Sequence, residues 1–307
     1  MGGTRIRVGV LGVDGTFALK TEAPTEAWKG PEAVLESLSI LIAQTLAAAG
    51  SPVASIGVAA AGQIHPETQA VVYAPNLNWQ DVPLKTRLES RLKLPVWVEN
   101  DVRAAAWGEF RFGAGRGSQS LLAVFVGTGV GSGAILAGHL WRGAFNVAGE
   151  IGHTQVVPDG IPCACGQRGC LEAYCSGSGL IRRFETMLAA GAPTALRART
   201  GEQASKLTAL EVARAAAEGD PLARELWEDA VGYLKLAITN AVTLLNPERL
   251  VLGGGVVETV PALLEAVTTS IQARAPLMAR AMTVHRATLG AWAGAVGAGA
   301  LAAELTA

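Results

Sequence analysis

Four cysteines occupy positions 163, 165, 170 and 175, and the rest of the sequence holds none. A disulfide framework staples distant segments of a small secreted chain, so cysteines gathered this tightly point instead to metal. His153 precedes Cys163-Ala164-Cys165, and Gly166-Gln167-Arg168-Gly169-Cys170 follows. Three thiols and one imidazole close a tetrahedral site, and thiolate-rich sites suit zinc. Glycines at 166 and 169 permit the turns that fold the ligands back onto one ion. A set of His153, Cys163, Cys165 and Cys170 needs no open position, so the zinc reads as structural. Cys175 follows a helix start and reads as a small packed residue.

Phosphate chemistry is suggested by three glycine-rich stretches: Gly2-Gly3-Thr4, Gly127-Thr128-Gly129-Val130-Gly131-Ser132-Gly133 and Gly253-Gly254-Gly255. Backbone N–H groups without side-chain cover cradle phosphate, and hydroxyls add hydrogen bonds. Any one of the three is equally a tight turn; three at strand ends together outline a nucleotide cleft. Acid chemistry is suggested by Glu99-Asn100-Asp101, which follows the Pro95–Val98 strand and precedes an Ala-rich helix. Asp101 there is either a base that accepts a hydroxyl proton or a helix N-cap. Glu150 stands three residues before His153, and Glu172 two residues after Cys170. Carboxylates beside amide and imidazole groups suit a polyhydroxylated ligand, although each acid alone could be solvated or capping.

The elements that must position these groups follow from periodicity and turn residues. Ile6–Leu11 and Phe17–Glu22 read as a hairpin turned at Asp14-Gly15-Thr16. From Gly30-Pro31, apolar residues at 34, 35, 38, 41, 42 and 46 repeat at helical spacing. Ser55–Ala60 and Pro95–Val98 read as buried strands. In the second half, Leu121–Val126 runs through the glycine loop into a strand ending at Leu136. Tyr233–Leu245 reads as a helix, Arg249–Leu252 as a strand, and a last helix starts near Ala291. Strand, glycine turn, strand and helix in both halves predict a duplicated α/β unit with a ligand between two lobes. Gly191–Ser205 reads as a mobile insert.

The chain has 307 residues, 50% hydrophobic and 17% charged, with a formal net charge of -1. Such a chain is globular and long enough for two cores, and it lacks the basic runs that nucleic acid or a membrane surface would call for. Gly290–Ala303 is apolar but too short to span a bilayer, and no leader pattern opens the sequence. The expectation is a cytoplasmic protein without a nucleic-acid or membrane partner.

The segment His153 through Cys163-Ala164-Cys165-Gly166-Gln167-Arg168-Gly169-Cys170-Leu171-Glu172 resembles the zinc signature of the ROK family of sugar kinases. Gly127–Gly133, Gly149-Glu150-Ile151-Gly152-His153, Ala74-Pro75-Asn76-Leu77-Asn78-Trp79, Glu99-Asn100-Asp101 and Leu252–Gly255 also match that family in order. The resemblance implies an actin-like ATPase fold with two ribonuclease-H-like α/β domains, ATP and Mg²⁺ in the cleft, and commonly a homodimer. The division expected is 1–118 with 290–307 as a smaller domain, and 119–289 as a larger one with the zinc loop. By position, Asp101 would be the catalytic base, and Asn76, Asn100, Glu150, His153 and Glu172 would line the hexose. Gly2, Gly3, Thr4, Thr128 and Gly129 would meet the phosphates, and Gly254 the adenosine. His153 would serve zinc and sugar with one ring nitrogen each.

Three departures stand out. The family has Asp-x-Gly-Gly-Thr after a full strand, where this sequence opens Met1-Gly2-Gly3-Thr4, so the expectation is a native start upstream. Phe145-Asn146 replaces the family's Asn-Gly, which bears on sugar preference. Ala60-Ala61-Gly62 stands where Pro-Gly is common. The implied activity is ATP-dependent phosphorylation of an aldohexose, glucose first, at the 6-hydroxyl, which would make it a glycolytic enzyme. The alternatives are an N-acetylhexosamine kinase and a sugar-sensing repressor of the same family whose DNA-binding domain is not in this sequence.

Overall fold

The computed structural model describes residues 1–197 and 207–306. It divides into two compact units: residues 1–121, 133–149 and 288–307 form one, and 122–132 with 150–287 the other. The expected division placed 133–149 in the second unit, whereas the structure places them in the first. The physical reason is a buried side chain: Asn146 donates through Nδ2 to the Ile64 carbonyl at 2.7 Å.

The first unit opens with β1 (Arg5–Leu11) and β2 (Phe17–Pro24), an antiparallel pair. Asp14 makes the turn between them, its Oδ1 accepting from Thr16 N–H at 3.0 Å and from the Thr16 hydroxyl at 2.7 Å. Helix α1 (Pro31–Ala49) starts on a proline, whose missing N–H costs nothing at that position, and ends at Gly50 with φ 64°. By length and composition α1 is long and apolar enough to cross a membrane. Val34, Leu35, Leu38, Leu41 and Ile42 are buried in the core of this unit. The strand β3 (Ile56–Ala60) follows, then the small antiparallel sheet of β4 (Gln63–Ile64), β5 (Val71–Ala74) and β6 (Trp79–Val82). Helix α2 (Leu84–Leu92) leads to β7 (Val96–Asn100), which pairs in parallel with β3, Ala60 opposite Asn100. Among the described residues β1 pairs only with β2, and β3 only with β7. The Met1 carbonyl accepts from Ala61 N–H, and its ammonium donates to the Ala59 carbonyl, beside the end of β3. Helix α3 (Asp101–Phe112) continues directly from β7.

The second unit is built on β8 (Leu121–Val126), the first part of β9 (Val130–Leu136), and later strands. The rest of β9 and β10 (His139–Trp141) pair as a hairpin in the first unit. Helices α4 (Leu171–Cys175), α5 (Gly177–Ala189) and α6 (Ala209–Ala217) follow. Helix α7 spans Pro221–Leu245, twelve residues longer at its start than the apolar spacing indicates. Its signal was the pair Asp220-Pro221: the Asp220 carboxylate caps it by accepting from Ala223 N–H at 2.8 Å. Asp220 also accepts from Thr194 and Ala195, which ties down the start of the predicted insert; residues 198–205 of that insert lie outside the described residues. Strand β11 (Arg249–Gly253) runs parallel to β12 (Thr283–Arg286), with α8 (Gly255–Thr259) and α9 (Ala262–Arg274) between them.

Helix α10 (Ala293–Thr306) returns to the first unit. Its glycine and alanine content has a packing cause. A Cβ on Gly297 would lie 1.7 Å from the Ala104 carbonyl oxygen of α3, and one on Gly57 would lie 1.9 Å from that of Ala298. Helix and strand backbones therefore touch directly. The start of α10 is held by Glu109 of α3, which is wholly buried. Its Oε1 accepts from the backbone N–H groups of Thr288 at 2.9 Å and Leu289 at 2.8 Å.

Two alanine substitutions should therefore act in opposite directions. Gly232→Ala, mid-helix in α7 with open space around it, should gain about 0.5–1 kcal/mol. Gly297→Ala should lose about 1–3 kcal/mol by overpacking, despite the same helix-propensity gain. Urea unfolding of both variants checks the pair.

Candidate active site and metal centre

Parallel strand β7 delivers its carboxyl end to the start of α3, the place where α/β proteins gather ligand-binding groups. The capping reading of the acid motif is answered here, because the cap belongs to Asn100. Its Oδ1 accepts from Val102 N–H at 3.1 Å and Arg103 N–H at 3.0 Å, and its Nδ2 donates to the Gly62 carbonyl at 3.1 Å. Asp101 is thereby relieved of capping; its Oδ1 accepts from the adjacent Val102 N–H at 3.0 Å. Burial pushes the Asp101 carboxyl above the usual carboxylate range, while the Met1 ammonium, the Val102 N–H and Arg103 pull against it. A carboxylate of raised pKa is a better proton acceptor than an ordinary aspartate.

Glu99 lies in the interior and is 1% exposed. Arg103, one helical turn on, bonds it through Nε at 2.9 Å and NH2 at 2.8 Å, and Arg142 bonds its other oxygen at 2.6 Å. The Arg142 guanidinium also lies 5.6 Å from the Trp97 ring. Arg103 and Arg142 were not anticipated from sequence, although the four-residue spacing of Glu99 and Arg103 was a visible signal. Elsewhere in this unit Asn76 lies exposed in a short turn after β5, with its backbone carbonyl against Gly3. The Gly2 carbonyl accepts from the Thr25 hydroxyl at 2.6 Å, and the Thr4 carbonyl from Thr25 N–H at 3.0 Å. Gly2, Gly3 and Thr4 thus form a tethered turn leading into β1.

In the second unit the loop from β8 to β9 is braced by the start of α5. The Gly127 carbonyl accepts from Gly177 N–H at 2.8 Å, and the Thr128 carbonyl from the Ser178 hydroxyl at 2.7 Å. Glu172 contributes from α4, its Oε2 accepting from Val130 N–H at 2.9 Å. With those carbonyls tied back, Thr128 remains exposed at the loop tip. Ser176, Gly177 and Ser178 were missed in the sequence; their signal was the Ser-Gly-Ser-Gly run capping a helix, with Ser176 accepting from Gly179 N–H at 2.9 Å. Gly254 caps α8 with φ 90°, and a Cβ there would lie 2.4 Å from the Val126 carbonyl oxygen, so β11 can end against β8 only with glycine. Glu150 is exposed and opens the short turn Ile151–His153.

His153, Cys163, Cys165 and Cys170 offer ligand atoms that all lie within 4.8 Å of one another. Cys165 and Cys170 sulfurs are 3.7 Å apart, and Cys163 Sγ is 3.9 Å from His153 Nδ1. A tetrahedral ion with metal–sulfur bonds of about 2.3 Å needs sulfurs about 3.8 Å apart, so the donor set fits one. Nδ1 is the nitrogen turned to the thiols, which leaves Nε2 for another partner. The backbone supplies the shape: Gly166 and Gly169 adopt φ 89° and 76°, and Cys163 N–H donates to the Gln167 carbonyl at 2.8 Å. Cys175 stands apart, buried in the main core of this unit, with burial pushing its thiol up.

Comparison with known proteins gives a consistent picture. The family model described as ROK family matches residues 1–305. A glucokinase of Halalkalibacterium halodurans is 36% identical over 304 residues, covering 97% of this chain and 92% of that protein. A glucokinase of Streptomyces coelicolor is 34% identical over 266 residues, covering 83% and 80%. Among solved structures, a Streptomyces griseus ROK family glucokinase in complex with glucose and AMPPNP superposes with a TM-score of 0.81, at 33% identity and 99% and 97% coverage. A ROK family transcriptional regulator, a homologue of the E. coli MLC protein, gives the same TM-score at 25% identity, with 100% of this chain and 77% of that one covered.

The raised Asp101 pKa has a stability consequence. A carboxyl whose pKa is higher in the folded than in the unfolded state favours folding when protonated and opposes it when ionised. Asp101→Asn should therefore raise Tm at pH 7, and the gain should vanish as pH falls below the ordinary aspartate value of about 4. Thermal melts of both proteins across that range check this.

Proposed function

The chain belongs to the ROK family and carries its actin-like ATPase fold, and from that premise we propose that it phosphorylates an aldohexose with ATP, glucose first. The observation that carries the reading is Asp101 at the β7–α3 corner, excused from capping by Asn100 and raised in pKa by burial. In this reading the sugar 6-hydroxyl oxygen bonds to the γ-phosphorus while the bond to the bridging oxygen of ADP breaks. The hydroxyl proton passes to Asp101. Mg²⁺ carried by the nucleotide would supply neutralisation of the phosphate charge. The β8–β9 loop, with Thr128 and Gly129, and the Gly254 turn serve the nucleotide, as do Gly2, Gly3 and Thr4. Asn76, Asn100, Glu150, His153 and Glu172 serve the sugar hydroxyls. For Glu172 the service is divided, since Oε2 holds Val130 and only Oε1 remains for the ligand.

The metal centre is read as structural zinc held by His153, Cys163, Cys165 and Cys170. The ion would fix the loop between Glu150 and Glu172 and leave His153 Nε2 to the sugar. A second reading, a sugar sensor without turnover, is favoured by the likeness to the ROK transcriptional regulator.

ADP release from Mg·ATP with a panel of hexoses and N-acetylhexosamines separates these readings. The expected result is turnover with glucose, and a drop of about 10²–10⁴ in kcat for Asp101→Asn with little change in the glucose KM. Because burial raises the Asp101 pKa, the acid limb of the kcat/KM profile should lie above the ordinary carboxylate range. Sugar binding without ADP release would favour the sensor. For the metal, elemental analysis should find one zinc per chain, and Cys163→Ser should lose it and lower Tm. A protein purified metal-free with unchanged Tm would refute the centre.

A further inference from the structure

The seven residues from Arg142 to Ala148 form a loop closed on itself by Ala148 N–H donating to the Arg142 carbonyl at 3.0 Å. Three side-chain contacts fasten it to the corner that carries Asn100 and Asp101. Arg142 bonds Glu99 at 2.6 Å, Arg103 NH2 donates to Asn146 Oδ1 at 3.2 Å, and Arg103 NH1 reaches the Ala148 carbonyl at 3.5 Å. Asn146 is 6% exposed and sits at φ 58°, a left-handed backbone that a non-glycine residue holds only with compensation. Both ends of its amide supply that compensation, since Nδ2 also donates to the Ile64 carbonyl at 2.7 Å. Its neighbours turn the other way: Phe145 is 80% exposed and Val147 40%.

Burying the Arg103 guanidinium with the Glu99 carboxylate is an expensive way to hold a loop, and apolar packing would give comparable stability. What the charged network adds is a single conformation. Resting on the hexose kinase reading, we propose that Asn146 and Arg103 are positioning residues for the sugar. They lock the 142–148 loop to the Asn100–Asp101 corner, so that Phe145 and Val147 present an apolar wall to the hexose. Both ends of the Asn146 amide are engaged by Arg103 and Ile64. Asp101 does not depend on Asn146, because its place is set by the Asn100 cap, β7 and the Glu99–Arg103 pair, all of which the loss of the Asn146 amide leaves intact. Loosening the loop therefore weakens sugar binding and spares the chemical step.

The test is Asn146→Gly in the full chain, since glycine keeps the left-handed backbone and removes only the two side-chain bonds. The expected result is a rise of about tenfold or more in hexose KM, with kcat within about threefold and the ATP KM unchanged. Asn146→Asp, which keeps the acceptor for Arg103 but sets a carboxylate oxygen against the Ile64 carbonyl, should recover only part of the loss. A lowered Tm with unchanged hexose KM would overturn the proposal and leave the network purely structural; a fall in kcat with KM unchanged would overturn it as well. If the wild-type chain turns over no hexose, the kinase reading fails first. If it does and Asn146→Gly matches it, the lock alone fails.

Discussion

The carboxylate of Glu99, buried between two guanidinium groups, is the interaction on which the acid-bearing corner depends. Successive residues of a strand point to opposite faces, and here the strand ends at Asn100 and the helix begins at Asp101. Glu99 turns inward to Arg103 and Arg142, Asn100 closes the helix end, and Asp101 is left out of the cap. Removing one partner of such a buried pair leaves an uncompensated charge, at a cost of about 3–5 kcal/mol. The corner is therefore held by more than helix capping.

A second constraint supports the first from behind. Helix α10 lies against both α3 and β3 closely enough that backbone atoms of Gly297 and Gly57 occupy the space a methyl group would need. Small residues make this approach possible, and Glu109 anchors it by accepting backbone N–H groups at the start of the returning segment. The cost of burying that carboxylate is offset by charge-assisted hydrogen bonds, each about twice as strong as a neutral one. Chain segments nearly two hundred residues apart in sequence are joined in this way.

The second unit uses an acid for a different purpose. Glu172 holds the first N–H of β9, and α5 holds the carbonyls of the same loop through Gly177 and Ser178. The loop's polar groups are shared between self-support and the exposed tip. The neighbouring Cys and His residues are brought together by two left-handed glycines and a short run of backbone bonds, so the ligand geometry belongs to the loop itself.

Local chemistry was legible in the residues themselves. The His153/Cys163/Cys165/Cys170 set, the Asp14 turn, and the strands and helices around the acid and glycine motifs follow from spacing, turn residues and periodicity, which act over a few positions. The assignment of the cap to Asn100 instead of Asp101 was not legible, since both residue types cap helices equally well. Nor was the first half of α7, where the apolar face is interrupted and only Asp220-Pro221 marks the start. Tertiary structure alone decided that Arg103 and Arg142 share Glu99, that Asn146 turns inward while Phe145 turns out, and that residues 133–149 fold with the first unit. Those outcomes depend on partners some forty to eighty residues away. No local periodicity encodes which distant polar group will meet a buried charge; only the packed chain, which must satisfy every buried donor and acceptor, makes that choice.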